Sequence, residues 1–122
     1  MRVAKKGARK RVVLTGPARR DIRDVLRWSE ENFGRDAARR YENLLIQALR
    51  DIEADPSRPG VRQRSELPAD IFLYHLVSSR DHVLPRVAEP RHFLVYRQTS
   101  GLIEILRVLH DRQDLTRHLP VA

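Results

Sequence analysis

Residues 90–110 read PRHFLVYRQTSGLIEILRVLH, and this stretch decides the fold of the chain. Two runs within it, residues 92–97 and 102–109, are rich in Ile, Leu, Val, Phe and Tyr, which is typical of β-strands. The turn residues Thr99-Ser100-Gly101 lie between the runs and are few enough to close a hairpin. The sequence therefore predicts two adjacent antiparallel strands near its C-terminal end.

Weaker signals place further strands before this hairpin. Residues 71–77 form another β-type run and predict a third strand. The segment 78–91 is long for a hairpin loop and contains two prolines, so we expect a mobile or partly ordered surface connection. Near the start of the chain, residues 11–15 form a short β-branched run closed by Gly16-Pro17, which predicts a brief strand running into a helix.

The region after this first strand has the period of α-helices. Apolar or small residues recur at three-and-four spacing in two stripes. The stripes are Ala18, Ile22, Val25, Leu26, Ser29 and Phe33, and then Ala37, Ala38, Tyr41, Leu44, Leu45, Ala48, Leu49 and Ile52. Gly34 is expected to stop the first helix and Asp36 to cap the second. A connection this short predicts an antiparallel helix hairpin whose stripes face a common core.

These elements combine into a small α+β fold. We expect a short N-terminal strand, an antiparallel two-helix hairpin packed on one face of a small, mainly antiparallel sheet, and a short C-terminal helix or tail over residues 111–119. A chain of 122 residues has room for one domain. We therefore predict a single domain over residues 12–119, preceded by a flexible basic arm over residues 1–11.

The positive charge is concentrated in this arm. The formal net charge is +8, from 24 Lys and Arg against 16 Asp and Glu. Six cations and no acids lie in the first eleven residues, whereas from residue 12 onward 18 arginines accompany 16 acids and lysine is absent. We expect the arm to be solvated, with a weak nucleic-acid contact as the alternative. The folded body is not an obvious polyanion binder.

The composition excludes several classes of protein. Cysteine is absent, which excludes disulfide scaffolds, thiolate zinc sites and cysteine nucleophiles and fits a cytoplasmic protein. No apolar stretch is long enough for a signal peptide or a membrane span. The five glycines never cluster and no GxSxG pattern occurs, so we predict neither a nucleotide cofactor nor a serine hydrolase.

Three histidines, His75, His92 and His110, lie on or at the end of predicted strands. They show neither HxH nor HExxH spacing, so we predict no metal site. His110 closes the last strand between Arg107 and Arg112. An imidazole beside guanidinium groups suits acid-base work on a phosphodiester, but it equally suits partner binding or anchoring of the C-terminal segment.

Two arginines, Arg97 and Arg107, interrupt otherwise apolar strands. A guanidinium half-buried on a sheet is costly unless it pairs with a carboxylate or an anionic ligand. One interpretation is an internal salt bridge, for example to Glu104 or Asp114. The other is a surface that contacts phosphates or the carboxylates of another protein.

The pattern as a whole resembles the RelE/ParE superfamily of bacterial toxins from type II toxin-antitoxin systems, and most closely the ParE branch. The likeness extends from about residue 12 to residue 119, and its most specific part is residues 90–97 followed by the ending IxRVLH at residues 105–110. Looser matches are Ala18, Asp21, Ile22, Gly34, Ala37, Tyr41, Leu45, Leu49, Pro56 and Gly60.

The resemblance implies a toxin that is silenced by a cognate ParD-like antitoxin and that inhibits DNA gyrase. The RelE branch instead cuts messenger RNA on the ribosome, and a toxin-like fold that only binds is a third hypothesis. The lysine-free body and the lack of any tyrosine after Tyr96 favour a gyrase inhibitor without catalytic residues. If the chain were a nuclease, Arg97, Arg107 and His110 would carry the chemistry. We expect target binding by Arg97, Arg107, His110 and Arg112, and antitoxin binding by Tyr41, Leu45, Tyr96 and Leu109.

Overall fold

The structure of the chain, a computed structural model, describes residues 10–119. The predicted basic arm therefore lies outside the described residues, except for Lys10 and Arg11. The elements in chain order are β1 (Arg11–Leu14), α1 (Gly16–Phe33), α2 (Arg35–Ala54), β2 (Val61–Arg62), β3 (Ile71–His75), a 3₁₀-helix (Leu76–His82), β4 (His92–Thr99), β5 (Leu102–His110) and α3 (Leu115–His118). The predicted α+β class, helix hairpin and C-terminal helix are confirmed.

The described strands form one five-stranded sheet in the order β1-β5-β4-β3-β2. β1 runs parallel to β5, and every other neighbouring pair is antiparallel. The predicted hairpin is β4 and β5, which begins with His92 opposite His110 and passes Arg97 opposite Glu104. The register shifts by one residue at Val95 and Tyr96. At this bulge Val95 lies opposite Arg107 and Tyr96 lies opposite Ile105, so Leu106 has no partner on β4.

Thr15 joins the first strand to the first helix and to the sheet. Its backbone N–H donates to the carbonyl of Ile105 at 3.0 Å, which continues the pairing of β1 with β5. Its hydroxyl accepts from the N–H of Ala18 at 3.1 Å, as an N-cap does, and donates to the carbonyl of Leu106 at 2.9 Å. One side chain thus begins α1 and satisfies the backbone at the bulge.

The two helices reverse at Gly34, as predicted. Gly34 has φ of 96°, a conformation that is costly for residues with a Cβ, and its N–H donates to the carbonyl of Glu30. The prediction that Asp36 caps α2 is wrong, because α2 begins at Arg35 with Gly34 as its cap residue. Asp36 lies within the first helical turn, where a carboxylate still interacts favourably with the helix dipole.

The region after the third strand differs most from the prediction. The third strand ends at His75, and residues 76–82 form a 3₁₀-helix in place of the last strand residues and the first part of the predicted loop. The N–H of Val77 donates to Nδ1 of His75, which starts this turn. The two-residue strand β2 was not predicted, because two residues are too few to show a period of two.

The sheet has apolar clusters on both faces. The helix-facing cluster is Ala18, Leu44, Leu45, Ala48, Ile52, Tyr74, Leu76, Val83, Leu94, Tyr96, Ile103, Ile105 and Val108. The opposite cluster, which includes the C-terminal helix, is Leu67, Ile71, Leu73, Val95, Leu106, Leu109, Leu115 and Leu119. None of the helices within residues 10–119 has the length and hydropathy to cross a membrane.

Candidate functional site

A groove lies between the second half of α1, the first turns of α2 and the segment 86–92. Its volume is about 840 Å³ and most of its walls are apolar. Trp28 and Phe33 line it, with 57% and 68% of their surfaces exposed and their rings in edge-to-face contact at 5.5 Å. Exposed aromatic side chains beside a concave apolar surface are typical of a partner-binding site.

The positions of a few residues explain how the two helices form two sides of this groove. Trp28 lies off the buried apolar stripe of α1, so its ring points away from the helix-facing core. On α2, Ala37, Arg40 and Tyr41 are spaced three and four residues apart and share one face. The small side chain of Ala37 leaves room between the two helices. The result is an apolar wall with one cation, Arg40, set into it.

The third side of the groove is held by contacts from the 3₁₀-helix. Arg80 Nη1 donates to the carbonyl of Ala88 at 2.7 Å, and Arg86 pairs with Asp81 at 3.1 Å. Val87 packs against the helix-facing core. The predicted connection 78–91 is therefore ordered by side-chain contacts along most of its length.

The floor of the groove contains a hydrogen-bonded tyrosine and histidine. The hydroxyl oxygen of Tyr41 accepts from the N–H of Arg91 at 3.0 Å and lies 2.7 Å from Nδ1 of His92. Tyr41 donates in this contact when the imidazole of His92 is neutral with its proton on Nε2. Burial and the neighbouring His110 ring lower the pKa of His92 to about 4, and burial raises the pKa of Tyr41 to about 12.

A second set of contacts joins the floor to the end of β5. The rings of His92 and His110 lie 5.2 Å apart, and Nδ1 of His110 accepts from the N–H of Arg112 at 3.1 Å. Asp111 accepts from Nε2 of His75 at 3.1 Å and pairs with Arg91 at 3.4 Å. Burial acts against ionisation of Asp111, but the His75 hydrogen bond and the Arg91 charge outweigh it and lower the pKa of this carboxyl.

We predict that the stability of the protein falls by about 2 kcal/mol between pH 7 and pH 4 because of His92. Its pKa is about 4 in the folded protein and 6.5 in an exposed state, so the unfolded chain takes up the proton first as the pH falls. Urea unfolding at pH 4.5, 5.5 and 7 measures this dependence. His92→Gln, which does not titrate, should flatten the slope, and equal slopes for both proteins would contradict the assignment.

Arg107 forms an internal salt bridge, with a partner that the sequence did not indicate. Its Nε and Nη2 donate to the two carboxylate oxygens of Asp21 at 2.7 and 2.9 Å, and its Nη1 donates to the carbonyl of His118 at 2.8 Å. Asp21 also accepts from the N–H of Val108 at 2.9 Å. Asp114, which we considered as the partner, instead caps α3 by accepting from the N–H of Thr116.

Arg97 and His110 lie at opposite ends of the β4-β5 hairpin. Arg97 pairs with Asp70 at 2.8 Å and more distantly with Glu104 at 3.9 Å. His110 is opposite His92, which is five residues or roughly 16 Å away from Arg97 along the strand. The three residues expected to act together in a nuclease are therefore not brought to one place.

Arg112 is the sequence-predicted site residue with the freest side chain. It is exposed just after β5, and no described residue pairs with its guanidinium. Its backbone position is fixed by the hydrogen bond to His110. His110 itself keeps 37% of its side-chain surface exposed.

Of the four residues expected to bind an antitoxin, Tyr41 lies in the groove and the other three lie in the core. Leu45, Tyr96 and Leu109 have 2%, 0% and 1% of their surfaces exposed, which leaves no area for a partner. Antitoxin binding by Tyr41 therefore stays a prediction, and the other three offer no exposed surface for it in the structure. Apolar periodicity identifies the side chains that the fold itself covers, and not those that remain for another protein.

No group of three or more metal-binding side chains is gathered anywhere in the described part of the chain.

A protein-family model described as the ParE toxin of a type II toxin-antitoxin system, parDE, matches residues 12–115. This match covers α1, α2, the sheet apart from Arg11, and the first residue of α3. No curated protein matches the sequence.

Proposed function

Because the chain belongs to the ParE toxin family of type II toxin-antitoxin systems, we propose that it arrests growth in the cytoplasm by inhibiting DNA gyrase and that its antitoxin silences it by occupying the groove. The toxin role and the antitoxin partner follow from the family. The target and the way of silencing are finer proposals, and different parts of the molecule support them.

A mechanism without bond cleavage is supported by the separation of the groups that a nuclease would need. Arg97 and His110 lie at opposite ends of a hairpin, and the guanidinium of Arg107 is occupied by Asp21. General acid-base catalysis requires groups within hydrogen-bond reach of both protons that move. This separation is the observation that carries the proposal, and it leaves the alternative of ribosome-dependent messenger cleavage with less support.

We assign target recognition to the segment after β5, with different roles for its residues. Arg112 is the contact residue, because its charge is exposed and unpaired within residues 10–119. His110 holds the backbone of Arg112, and Arg107 ties the same region to α1, so both are positioning residues. Arg97 lies too far along the hairpin to join this surface.

We assign antitoxin binding to the groove. Trp28 and Phe33 offer apolar area that water now contacts, and covering it favours association. An amphipathic helix laid into an apolar groove is a common form of this recognition. Antitoxin segments of this kind are expected to be disordered when free and to fold as they bind.

Expression of the chain without its antitoxin, scored in the same culture for cell shape, DNA damage response and messenger integrity, tests the proposed target. Gyrase inhibition predicts filamentous cells, an induced damage response and intact transcripts. Cut transcripts without DNA damage would favour the ribonuclease. Normal growth of cells that contain folded toxin would instead indicate a binding module that is not toxic.

Arg112→Ala should weaken inhibition of gyrase supercoiling by at least tenfold, since it removes the one exposed cation of this segment that lacks an ion pair within the described residues. Arg117→Ala is the matched control, because Arg117 is 82% exposed on the neighbouring α3. The concentration of toxin that halves supercoiling measures both. Equal losses for the two variants, or no loss for Arg112→Ala, would exclude Arg112 as the contact residue.

A further inference from the structure

We propose that the groove selects its partner through a carboxylate that pairs with Arg40. This inference rests on the proposed function, because it takes the antitoxin to be the occupant of the groove. It adds the chemistry of recognition: the bound segment must carry an Asp or Glu beside the apolar residues that cover Trp28 and Phe33.

The environment of Arg40 carries the inference. Arg40 is half-buried in the wall of the groove, between the face of Ala37 and the floor residue Tyr41. Within the described residues, no carboxylate lies within ion-pair distance of its guanidinium, and no hydrogen-bond acceptor is in reach. Removing water from an unpaired guanidinium is costly. A partner that covers the groove therefore pays this cost unless it brings an anion.

The other arginines of the groove differ from Arg40 in this respect. Arg86 is half-exposed and pairs with Asp81 at 3.1 Å, and Arg91 pairs with Asp111 at 3.4 Å. A partner can therefore cover either arginine while its own carboxylate still neutralises it. Arg40 is left as the cation whose neutralisation depends on the occupant.

The other charged residues of the groove do not neutralise Arg40. Asp24 and Glu89 line it but are exposed, so water solvates them. The floor is uncharged, since Tyr41 keeps its proton and His92 is neutral at physiological pH. An incoming carboxylate beside Arg40 therefore meets one unpaired, half-buried cation in an apolar wall, where a charge-assisted hydrogen bond is strong once the partner excludes water.

The chain offers a matched pair of variants for the test. Arg39 precedes Arg40 on α2 but lies on another side of the helix, in a shallow depression formed with Leu26 and Glu42. Arg40→Met removes the charge and keeps an apolar stem of similar length, and Arg39→Met does the same outside the groove. Arg40→Lys keeps the charge but not the forked guanidinium.

Calorimetric titration of full-length cognate antitoxin into each full-length toxin variant measures the effect. We expect Arg40→Met to weaken binding at least tenfold, Arg40→Lys to weaken it less, and Arg39→Met to change it by less than twofold. Single neutralisation of the antitoxin carboxylates should then identify one whose loss costs the same factor in wild-type toxin and nothing further in Arg40→Met. Equal affinities of Arg40→Met and Arg39→Met, or the absence of such a carboxylate, would overturn the proposal.

The fluorescence of Trp28, the single tryptophan of the chain, separates this result from the placement of the antitoxin in the groove. A tryptophan-free antitoxin that covers the groove should shift Trp28 emission to shorter wavelength, and Phe33→Ser should weaken its binding. If both hold while Arg40→Met binds normally, the antitoxin occupies the groove but Arg40 does not select it. If neither holds, the antitoxin binds elsewhere and both proposals fail.

Discussion

Arg107→Ala is expected to lower the free energy of unfolding by about 3 kcal/mol, because it breaks three hydrogen bonds and leaves a buried carboxylate without its cation. Arg107 joins three elements: it lies on β5, it binds Asp21 on α1 through two bonds, and it binds the carbonyl of His118 on α3. Its side chain is 23% exposed and that of Asp21 15%, so water replaces these bonds poorly.

Urea denaturation at pH 7 measures this loss, and Arg117→Ala should stay within about 0.5 kcal/mol of the wild type. The double variant Asp21→Ala/Arg107→Ala should be less destabilised than the sum of the two single variants, since the bonds they share are lost only once. Additive single effects would show that the two side chains act independently. If Arg107→Ala left the free energy of unfolding unchanged, Arg107 would have no role in stabilising the fold.

Asp51→Ala is expected to have an effect of similar size at the other end of the helix hairpin. Asp51 is 8% exposed and accepts hydrogen bonds from Gln47, Ser79 and His82. It also pairs with Arg58 at 3.4 Å. Alanine at this position removes the acceptor of the buried Ser79 hydroxyl and of the partly buried Gln47 amide, and it leaves the Arg58 guanidinium, which is 21% exposed, without its carboxylate. We estimate a loss of about 3 kcal/mol.

Thermal unfolding of Asp51→Ala should show a midpoint lower by roughly 10 °C, while Asp36→Ala, in the exposed first turn of α2, should change it little. Burial opposes ionisation of Asp51, but the hydrogen bonds from Ser79, His82 and Gln47 lower its pKa overall. Its contribution is therefore present above pH 4 and is lost as the pH falls further. An Asp51→Ala protein whose stability equals that of wild type at pH 7 would contradict this account.

The strands and helices followed from local sequence where their period was long enough to recognise. The hairpin β4-β5 lies where the runs rich in Ile, Leu, Val, Phe and Tyr predict it, and α1 and α2 lie where the three-and-four spacing of apolar residues predicts them. The 3₁₀-helix was not predicted, because Val77 continues the apolar run of β3, while the Ser79 hydroxyl within the turn bonds to Asp51, 28 residues away. A partner this distant in the chain cannot be predicted from the local sequence.

The same limit explains which parts of the site could be predicted. Internal pairing of Arg97 and Arg107 was one of two interpretations, because a guanidinium on a sheet needs an anion. The local sequence does not indicate Asp21 as the partner, since Asp21 lies 86 residues from Arg107 and meets it only because β1 pairs with β5 and α1 packs against β5.

One residue of the sequence does indicate the groove. Trp28 does not belong to the three-and-four apolar stripe of α1, and 57% of its surface is exposed. A large aromatic residue at such a position has no core to enter, and it indicates a surface that another molecule covers. Apolar character alone indicates Leu45, Tyr96 and Leu109, and these side chains lie in the interior of the fold.

Plasmid supercoiling by purified gyrase in the presence of the purified toxin tests the central claim most directly. We predict that supercoiling stops as toxin is added, that detergent and protease release linear DNA from a trapped cleavage complex, and that prior addition of antitoxin prevents both effects. Full gyrase activity at a toxin concentration that cuts messenger RNA on ribosomes would contradict the account.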